Sequence, residues 1–174
     1  MKLIITYSAR TGGNCGDIAR YIAKSGDKIV HFRDLHASGC TDCEYECFHG
    51  ECVHRADGVY DLYASMAEYD RVVLVVPMYG GKPSSLYFAF CERGQDFFRS
   101  EDAWNAVVSR LYIIGVFGSA GESPDFIPCL EKWFARTEYA DHVLALERHV
   151  YGQMLSDHLL DIEVVREKID IFMK

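Results

Sequence analysis

The sequence predicts a doubly wound α/β fold, in which five parallel strands are covered by helices on both faces. Short β-branched apolar runs alternate along the chain with segments of helical periodicity, as a parallel sheet with helical crossovers requires. Three of these runs end in loops of glycine, proline or small polar residues, and an open parallel sheet binds its ligands at such strand ends. At 174 residues the chain is most simply one domain, 1–174.

The first strand is expected at 3–7, where a short apolar run breaks into small polar residues and glycines at 8–16. The helix that follows carries Ile18 and Ile22 four residues apart on one apolar stripe. A turn of this kind aims unpaired backbone N–H groups and the positive end of the helix dipole at one point. That point suits a phosphate.

The other strands are expected at 28–32, 71–76, 111–116 and 142–146. The run at 71–76 has no polar alternation, which is typical of a central strand covered on both faces. It ends in a loop at 77–83, and the run at 111–116 ends in a loop at 118–121. If these two strands and the first are neighbours, the three loops meet, although each loop read alone is also an ordinary tight connection.

Helices are expected from Ser84 or Ser85 as the cap toward Phe97, at 129–136, and from about 157 to 173. Three side chains of the last helix are expected to face the core: Leu160, Val164 and Ile171. Cys91 and Cys129 fall on two of these helices, where core packing is the expected role of a thiol.

Composition excludes several classes of partner. The formal net charge is −8 and the basic residues are scattered, which argues against a nucleic acid. Every window of membrane-spanning length carries charges, which argues against a membrane. The N-terminus lacks the basic and apolar regions of a secretion signal, so a cytoplasmic protein is expected.

Two of the loops carry a resemblance to known proteins. The residues YSARTGGNC at 7–15 are similar to the phosphate loop of the flavodoxin-like superfamily. The residues PMYGG at 77–81 are similar to the Pro-x-Tyr loop of its NAD(P)H-dependent FMN reductase branch. The first loop is one glycine longer than in true flavodoxins, which better fits the reductases and iron–sulfur flavoproteins. The resemblance implies the sheet order 2-1-3-4-5 and an FMN cofactor.

Carried over position by position, the resemblance implies three groups of FMN-binding residues. The phosphate would be held by Ser8, Arg10, Gly13, Asn14 and Cys15. The isoalloxazine ring would lie beside Pro77, Met78, Tyr79, Gly80 and Gly81. The other edge of the isoalloxazine ring would be covered by Gly118, Ser119 and Ala120, a loop that matches the family more loosely than the first two. Cys15 replaces the usual hydroxyl residue by a weaker donor, and Tyr79 offers a flat face for stacking.

Four of the seven cysteines fall within an insertion at about 36–56, at positions Cys40, Cys43, Cys47 and Cys52. In a reducing compartment such a cluster predicts first a metal site. Thiolates suit a [4Fe–4S] cluster or zinc, and His49 or His54 could substitute in a zinc site. Iron–sulfur flavoproteins, by the same resemblance, carry a compact four-cysteine motif at this point, usually with one residue fewer between the second and third cysteine. Metal-free thiols are the third interpretation.

The resemblance implies an FMN-dependent oxidoreductase that uses NADH or NADPH to reduce a flavin, a quinone or a similar acceptor, as a homodimer or homotetramer. No catalytic acid or base is expected, because the flavin supplies the chemistry. His149 and Tyr151 follow the fifth strand, either near a pocket mouth or as ordinary surface groups. The alternatives are a flavodoxin-like or iron–sulfur flavoprotein-like electron carrier, and a member that has lost its flavin.

Overall fold

The computed structural model describes residues 1–41, 43–50, 52–95, 97, 100–154 and 157–174. The strands of its sheet are β1 (Lys2–Thr6), β2 (Lys28–His31), β3 (Arg71–Tyr79), β4 (Lys82–Pro83), β5 (Leu111–Phe117) and β6 (Val143–Glu147). Five of them pair in parallel in the order β2-β1-β3-β5-β6, and β4 pairs with β3 in the antiparallel sense. The predicted sheet and its order are confirmed, since the predicted fourth and fifth strands are β5 and β6.

The carboxyl end of β3 differs from the sequence prediction. The strand continues through Pro77, which pairs with Val116, to Tyr79, which pairs with Lys82 of β4. The turn between β3 and β4 consists of Gly80 and Gly81, whose φ values of 57° and 80° are those of a two-residue hairpin. The predicted loop at 77–83 is therefore a strand end and a tight hairpin, because consecutive glycines allow both central residues a positive φ.

The helices cover both faces of the sheet, as the sequence predicts. They are α1 (Asn14–Ile22), α2 (Val59–Met66), α3 (Ser85–Glu92), α4 (Glu101–Val108), α5 (Phe126–Glu131) and α6 (Glu163–Phe172). The buried side chains of α1 and α6 pack together on one face, with Ile4, Val73 and Ile114 of the strands. Those of α2, α3, α4 and α5 pack on the opposite face with Leu3, Val72 and Leu74. The predicted inward position of Ile18 and Ile22 is confirmed.

The start of α3 is fixed at the carboxyl edge of the sheet by its cap. Ser84 Oγ accepts a hydrogen bond from the backbone N–H of Tyr87 and donates to the carbonyl of Tyr7, at 2.7 Å. The predicted cap is confirmed, and it links α3 directly to the residue that follows β1. The helix itself ends at Glu92, short of the predicted Phe97.

The predicted inward stripe of the last helix is wrong at two of its three positions. Val164 and Ile171 are 49 % and 67 % exposed, whereas Val165 and Ile169 are fully buried. The chain forms a separate 3₁₀ turn at Leu159–Asp161 and begins α6 only at Glu163. A helical periodicity that is continued from this turn into α6 therefore predicts the wrong buried face for α6.

Two helices were not expected from the sequence, and one begins early. The helices α2 and α4 are only eight residues long, so each offers too few turns for a clear periodic pattern. The helix α5 begins at Phe126 rather than at 129 and ends in a 3₁₀ turn at Lys132–Phe134.

Candidate functional site

The amino end of α1 is open to an anion. Its N-cap is Gly13, with φ 107°, and no side chain of the described residues caps the helix. Within that part of the chain, no acceptor receives the backbone N–H groups of Thr11, Gly12, Gly13, Asn14 and Cys15. The segment 8–16 contains no acidic residue that would repel an anion. Unpaired N–H groups at a helix start, together with the helix dipole, attract a phosphate.

The loop between β1 and α1 is held in shape by its own hydrogen bonds. The backbone N–H of Arg10 donates to Ser8 Oγ at 3.1 Å, which closes a tight turn. Arg33, just after β2, donates from Nη1 to the carbonyls of Arg10 at 2.7 Å and Ser8 at 3.4 Å. Arg33 was not among the predicted site residues, although β2 is the predicted neighbour of β1 and its carboxyl end lies at the same edge.

Cys15 offers its backbone rather than its thiol to the site. The side chain is only 5 % exposed and packs among the apolar residues between α1 and the sheet. Burial raises the pKa of the Cys15 thiol to about 12, so the sulfur is an uncharged core group at neutral pH. The thiol therefore donates no hydrogen bond to the site, and Cys15 offers only its unpaired backbone N–H.

The amide side chain of Asn14 is committed to another segment of the chain. Its Nδ2 donates to the carbonyl of Asp157 at 3.2 Å, and its Oδ1 accepts from the N–H of Leu159 at 2.7 Å. The same segment is bound a second time, because His158 Nδ1 lies 2.8 Å from Asp17 Oδ2. Asn14 thus positions the loop before α6 against α1, and its own N–H is what it presents to an anion.

The first two predicted loops meet at the carboxyl edge of the sheet, and the segment just after the third loop contacts them there. Ser8 Oγ lies 3.2 Å from Tyr79 Oη, which joins the first loop to the β3–β4 hairpin. Lys82 Nζ lies 2.6 Å from Asp125 Oδ2, which joins the hairpin to the segment after β5. A Cβ placed on Gly81 would lie 3.7 Å from Ser123 Oγ and 3.9 Å from the backbone carbonyl oxygen of Glu122, so the hairpin turn and this segment pass close together. The sequence did not indicate Lys82 or Asp125.

The third loop is covered from the end of β6. A Cβ on Gly118 would meet the guanidinium of Arg148 at 3.6 Å and the ring of His149 at 3.7 Å. The N–H of Ala120 donates to Glu147 Oε1 at 2.9 Å, while Ser119 is half-buried between them. His149 therefore lies at the edge of the site.

The remaining predicted residues of the ring site lie on the β3–β4 hairpin or beside it. Pro77 is buried, Met78 is half-buried against the core, and the exposed Tyr79 points toward Ser8. Tyr151 lies elsewhere, because its hydroxyl contacts Lys168 Nζ of α6 at 2.8 Å.

The cysteine-rich insertion is anchored at the opposite end of α3 from its Ser84 cap. Cys40 binds Glu92 twice, through Sγ to the carbonyl at 3.1 Å and through its N–H to the carboxylate at 3.0 Å. Arg93 holds the two arms of the insertion together through the carbonyls of Ser38 and His54 and the carboxylate of Asp57. Burial and the nearby Glu92 carboxylate raise the pKa of the Cys40 thiol.

None of the seven cysteines, all of which are among the described residues, forms a disulfide. Across the described ranges, no three His, Cys, Asp or Glu side chains are grouped to hold a metal ion. Iron–sulfur or zinc binding by Cys40, Cys43, Cys47 and Cys52 therefore stays a prediction, and metal-free thiols remain its alternative.

A large cavity lies apart from the three loops. It has a volume of about 880 Å³ and lies between α3, α4 and α5. Aromatic side chains dominate its lining: Phe48, Tyr87, Phe88, Trp104 and Trp133. Cys91 and Cys129 also line it, although Cys91 packs partly into the core as predicted. The loops are the candidate site, because in the described part of the chain they combine unpaired N–H groups with the strand ends at which such sheets bind ligands.

A family model of known proteins matches residues 1–144, and its description is NADPH-dependent FMN reductase. The chain belongs to this family. Membership confirms the flavodoxin-like assignment, the FMN cofactor and an NAD(P)H-dependent oxidoreductase activity. A search of curated protein sequences finds no significant match.

Solved structures agree with this reductase in fold. The Trp repressor binding protein from Bacillus subtilis matches at a TM-score of 0.64 and 14 % identity, covering 100 % of this chain and 98 % of its own. The FMN-dependent NADH-azoreductase from Bacillus anthracis, solved with FMN, matches at 0.64 and 10 %, covering 99 % of each chain. The flavoenzyme NAD(P)H:(acceptor) oxidoreductase from Paracoccus denitrificans matches at 0.55 and 12 %, covering 99 % of this chain and 94 % of its own. In the described part of the reductase, no helix is both long and apolar enough to span a bilayer.

Proposed function

We propose that this reductase binds FMN across the three loops at the carboxyl edge of its sheet and reduces a small acceptor such as a free flavin or a quinone. The observation that carries the proposal is the open amino end of α1. Its unpaired N–H groups lie beside the β3–β4 hairpin, to which the Ser8 and Tyr79 hydroxyls connect them.

The residues of the first loop fit a phosphate group. The N–H groups of Gly13, Asn14 and Cys15 are the donors, and the exposed Arg10 side chain adds a positive charge. Because the Asn14 amide and the Cys15 thiol are engaged elsewhere, recognition is mainly by backbone. Such a cradle binds a phosphate without specifying what the phosphate is attached to.

The flavin specificity comes from the second and third loops. The hairpin turn at Gly80 and Gly81 has no side chains, so its backbone can approach a ring edge closely. Tyr79 provides an aromatic face whose hydroxyl is tied to Ser8. The loop at Gly118, Ser119 and Ala120 forms the opposite wall, braced by Glu147.

Bound FMN would supply the redox chemistry, which is hydride transfer between NAD(P)H and the acceptor. The chain's part is to bind, to orient and to exclude water. Accordingly we assign no side chain as a catalytic acid or base, and His149 is a wall residue of the site.

A homodimer or homotetramer is also proposed. It is supported by the aromatic side chains left at the surface beside the large cavity, since Phe48 and Phe88 are 53 % and 39 % exposed. We place the protein in the cytoplasm, because a chain with seven unbridged thiols suits a reducing compartment.

An electron carrier is the second candidate function. The net charge of −8 would steer a basic redox protein toward the surface. Turnover kinetics separate the candidates: a reductase oxidises NADH or NADPH rapidly with a quinone or free flavin alone, whereas a carrier needs its protein partner.

The visible absorption spectrum of the purified protein tests the cofactor. We expect oxidised-flavin bands, as purified or after incubation with FMN and gel filtration, and bleaching of those bands by NADH or NADPH. A protein that stays colourless after incubation with FMN would contradict the proposal. Measuring iron and zinc on the same sample tests the cysteine cluster independently.

A further inference from the structure

Arg33 reaches the phosphate loop from a neighbouring strand. It lies in a short 3₁₀ turn, Phe32–Leu35, directly after β2, and its side chain is only 20 % exposed. Its Nη1 donates to the carbonyl of Arg10 at 2.7 Å and to that of Ser8 at 3.4 Å, and its Nε lies 3.2 Å from Asp34 Oδ1. The guanidinium is thus fixed between the loop and a carboxylate.

These contacts determine which polar atoms of the loop remain available. Arg33 occupies the carbonyls of Ser8 and Arg10, and Ser8 Oγ occupies the N–H of Arg10. The N–H groups that follow, from Thr11 onward, remain unpaired. The C=O and N–H of one trans peptide group point in opposite directions, so binding the Arg10 carbonyl on one side turns the N–H of Thr11 to the other.

We propose that Arg33 is a positioning residue that gives the site its preference for a phosphorylated flavin. It withdraws two carbonyl oxygens that would repel a phosphate, and it holds the loop in the conformation that presents N–H groups. The proposal rests on the proposed function, that the FMN phosphate lies in the loop after β1. Because the ring and the ribityl chain lack the phosphate charge, Arg33 should affect the binding of FMN and not that of riboflavin.

The test compares the two flavins. Kd values for FMN and riboflavin are measured from the quenching of flavin fluorescence with the wild type, Arg33→Gln, Arg33→Lys and the control Arg136→Gln. Arg136 is an exposed residue beyond α5, so the control makes the same change of charge away from the loops. Thermal unfolding of each apoprotein is recorded alongside.

We expect Arg33→Gln to raise the Kd for FMN by about tenfold or more, the effect of losing hydrogen bonds from a charged donor. The Kd for riboflavin should change by less than about threefold, since no phosphate is involved. Arg33→Lys keeps the positive charge but loses the planar set of guanidinium donors, so its Kd for FMN should lie between those of the wild type and Arg33→Gln. Arg136→Gln should match the wild type.

Two results would overturn the proposal while leaving FMN binding intact. One is an Arg33→Gln protein that binds FMN as tightly as the wild type, and the other is an equal loss of affinity for FMN and riboflavin. If Arg33→Gln does not fold, Arg33→Lys decides the question by the same ratio of the two Kd values. A wild type that binds neither flavin would instead contradict the proposed function itself.

Discussion

The hydroxyl oxygens of Ser8 and Tyr79 lie 3.2 Å apart, although 71 residues separate them in sequence. One follows β1 and the other ends β3, and these strands are adjacent in the sheet. The contact joins the two segments that the sequence analysis assigned to the phosphate and to the ring. The loop after β1 and the β3–β4 hairpin therefore belong to one candidate site.

Removing the Tyr79 hydroxyl should weaken FMN binding without unfolding the protein. Tyr79→Phe loses one partly exposed hydrogen bond, so we expect the Kd for FMN to rise about two- to tenfold. Tyr21→Phe is the matched control, because Tyr21 lies on α1 and its hydroxyl contacts Asp170 instead. Fluorescence titration measures both, and an equal loss in the two variants would contradict the assignment.

A carboxylate in place of the Asn14 amide should separate stability from ligand binding. Asn14→Asp keeps an acceptor for the N–H of Leu159 and places a negative charge at the start of α1, which favours the helix. It also removes the donor to the Asp157 carbonyl and sets a carboxylate oxygen against that carbonyl, so the two effects on the stability of the apoprotein oppose each other and a small net change is expected. The same charge repels a phosphate, so the Kd for FMN should rise more than about tenfold. Asn105→Asp, an exposed change on α4, is the control. Calorimetric titration and urea unfolding provide the two readouts, and unchanged FMN affinity would contradict the placement of the phosphate.

The hairpin glycines should be needed for stability even without a ligand. Gly81→Ala places a side chain at φ 80°, which costs about 1–2 kcal/mol in the free energy of unfolding. The nearest atom to the new Cβ is Ser123 Oγ at 3.7 Å, so the cost is conformational and not steric. Gly121→Ala, where the φ is not in the positive region, should change stability little. Urea unfolding distinguishes them, and equal stabilities would contradict the hairpin.

The His158–Asp17 contact predicts a pH-dependent part of the stability. Asp17 raises the pKa of His158 above its ordinary value of 6.5 by hydrogen bonding and charge. A raised folded-state pKa stabilises the protein fully at pH values below 6.5, and this contribution disappears as the pH rises through the higher value. Relative to His158→Gln, the wild type should therefore be more stable at acidic than at alkaline pH. In an Asp17→Asn background the two should not differ in this way, and urea unfolding at several pH values measures it.

Most of the sheet could be predicted from the sequence, because its strands are short apolar runs, such as 71–76, that are typical of buried strands. The sequence also placed the two specific loops, since Gly12, Gly13 and the Gly80–Gly81 pair are local signals. Contacts between distant segments carried no local signal. Arg33 binding to the Arg10 carbonyl depends on β2 lying beside β1, and Asn14 binding to Leu159 depends on the position of the loop before α6.

Side-chain direction was the other feature that the sequence did not determine. The expected inward stripe of the last helix changed face because a 3₁₀ turn precedes α6 and interrupts the periodicity. Cys15 looked like a weakened phosphate ligand, yet its thiol is buried in the core and its N–H faces outward from the helix start. In both cases the side-chain orientation depended on packing against the rest of the fold, which the local sequence does not specify.

Hydrogen exchange of the backbone amides, measured with and without FMN, shows which segments of the protein contact the bound flavin. Binding at the three loops should protect amides at 11–15, 79–82 and 118–121, because these segments line the proposed flavin site and those at 11–15 carry unpaired N–H groups. Protection at the large cavity beside Phe88, Trp104 and Trp133, with the loops unchanged, would contradict flavin binding at the three loops.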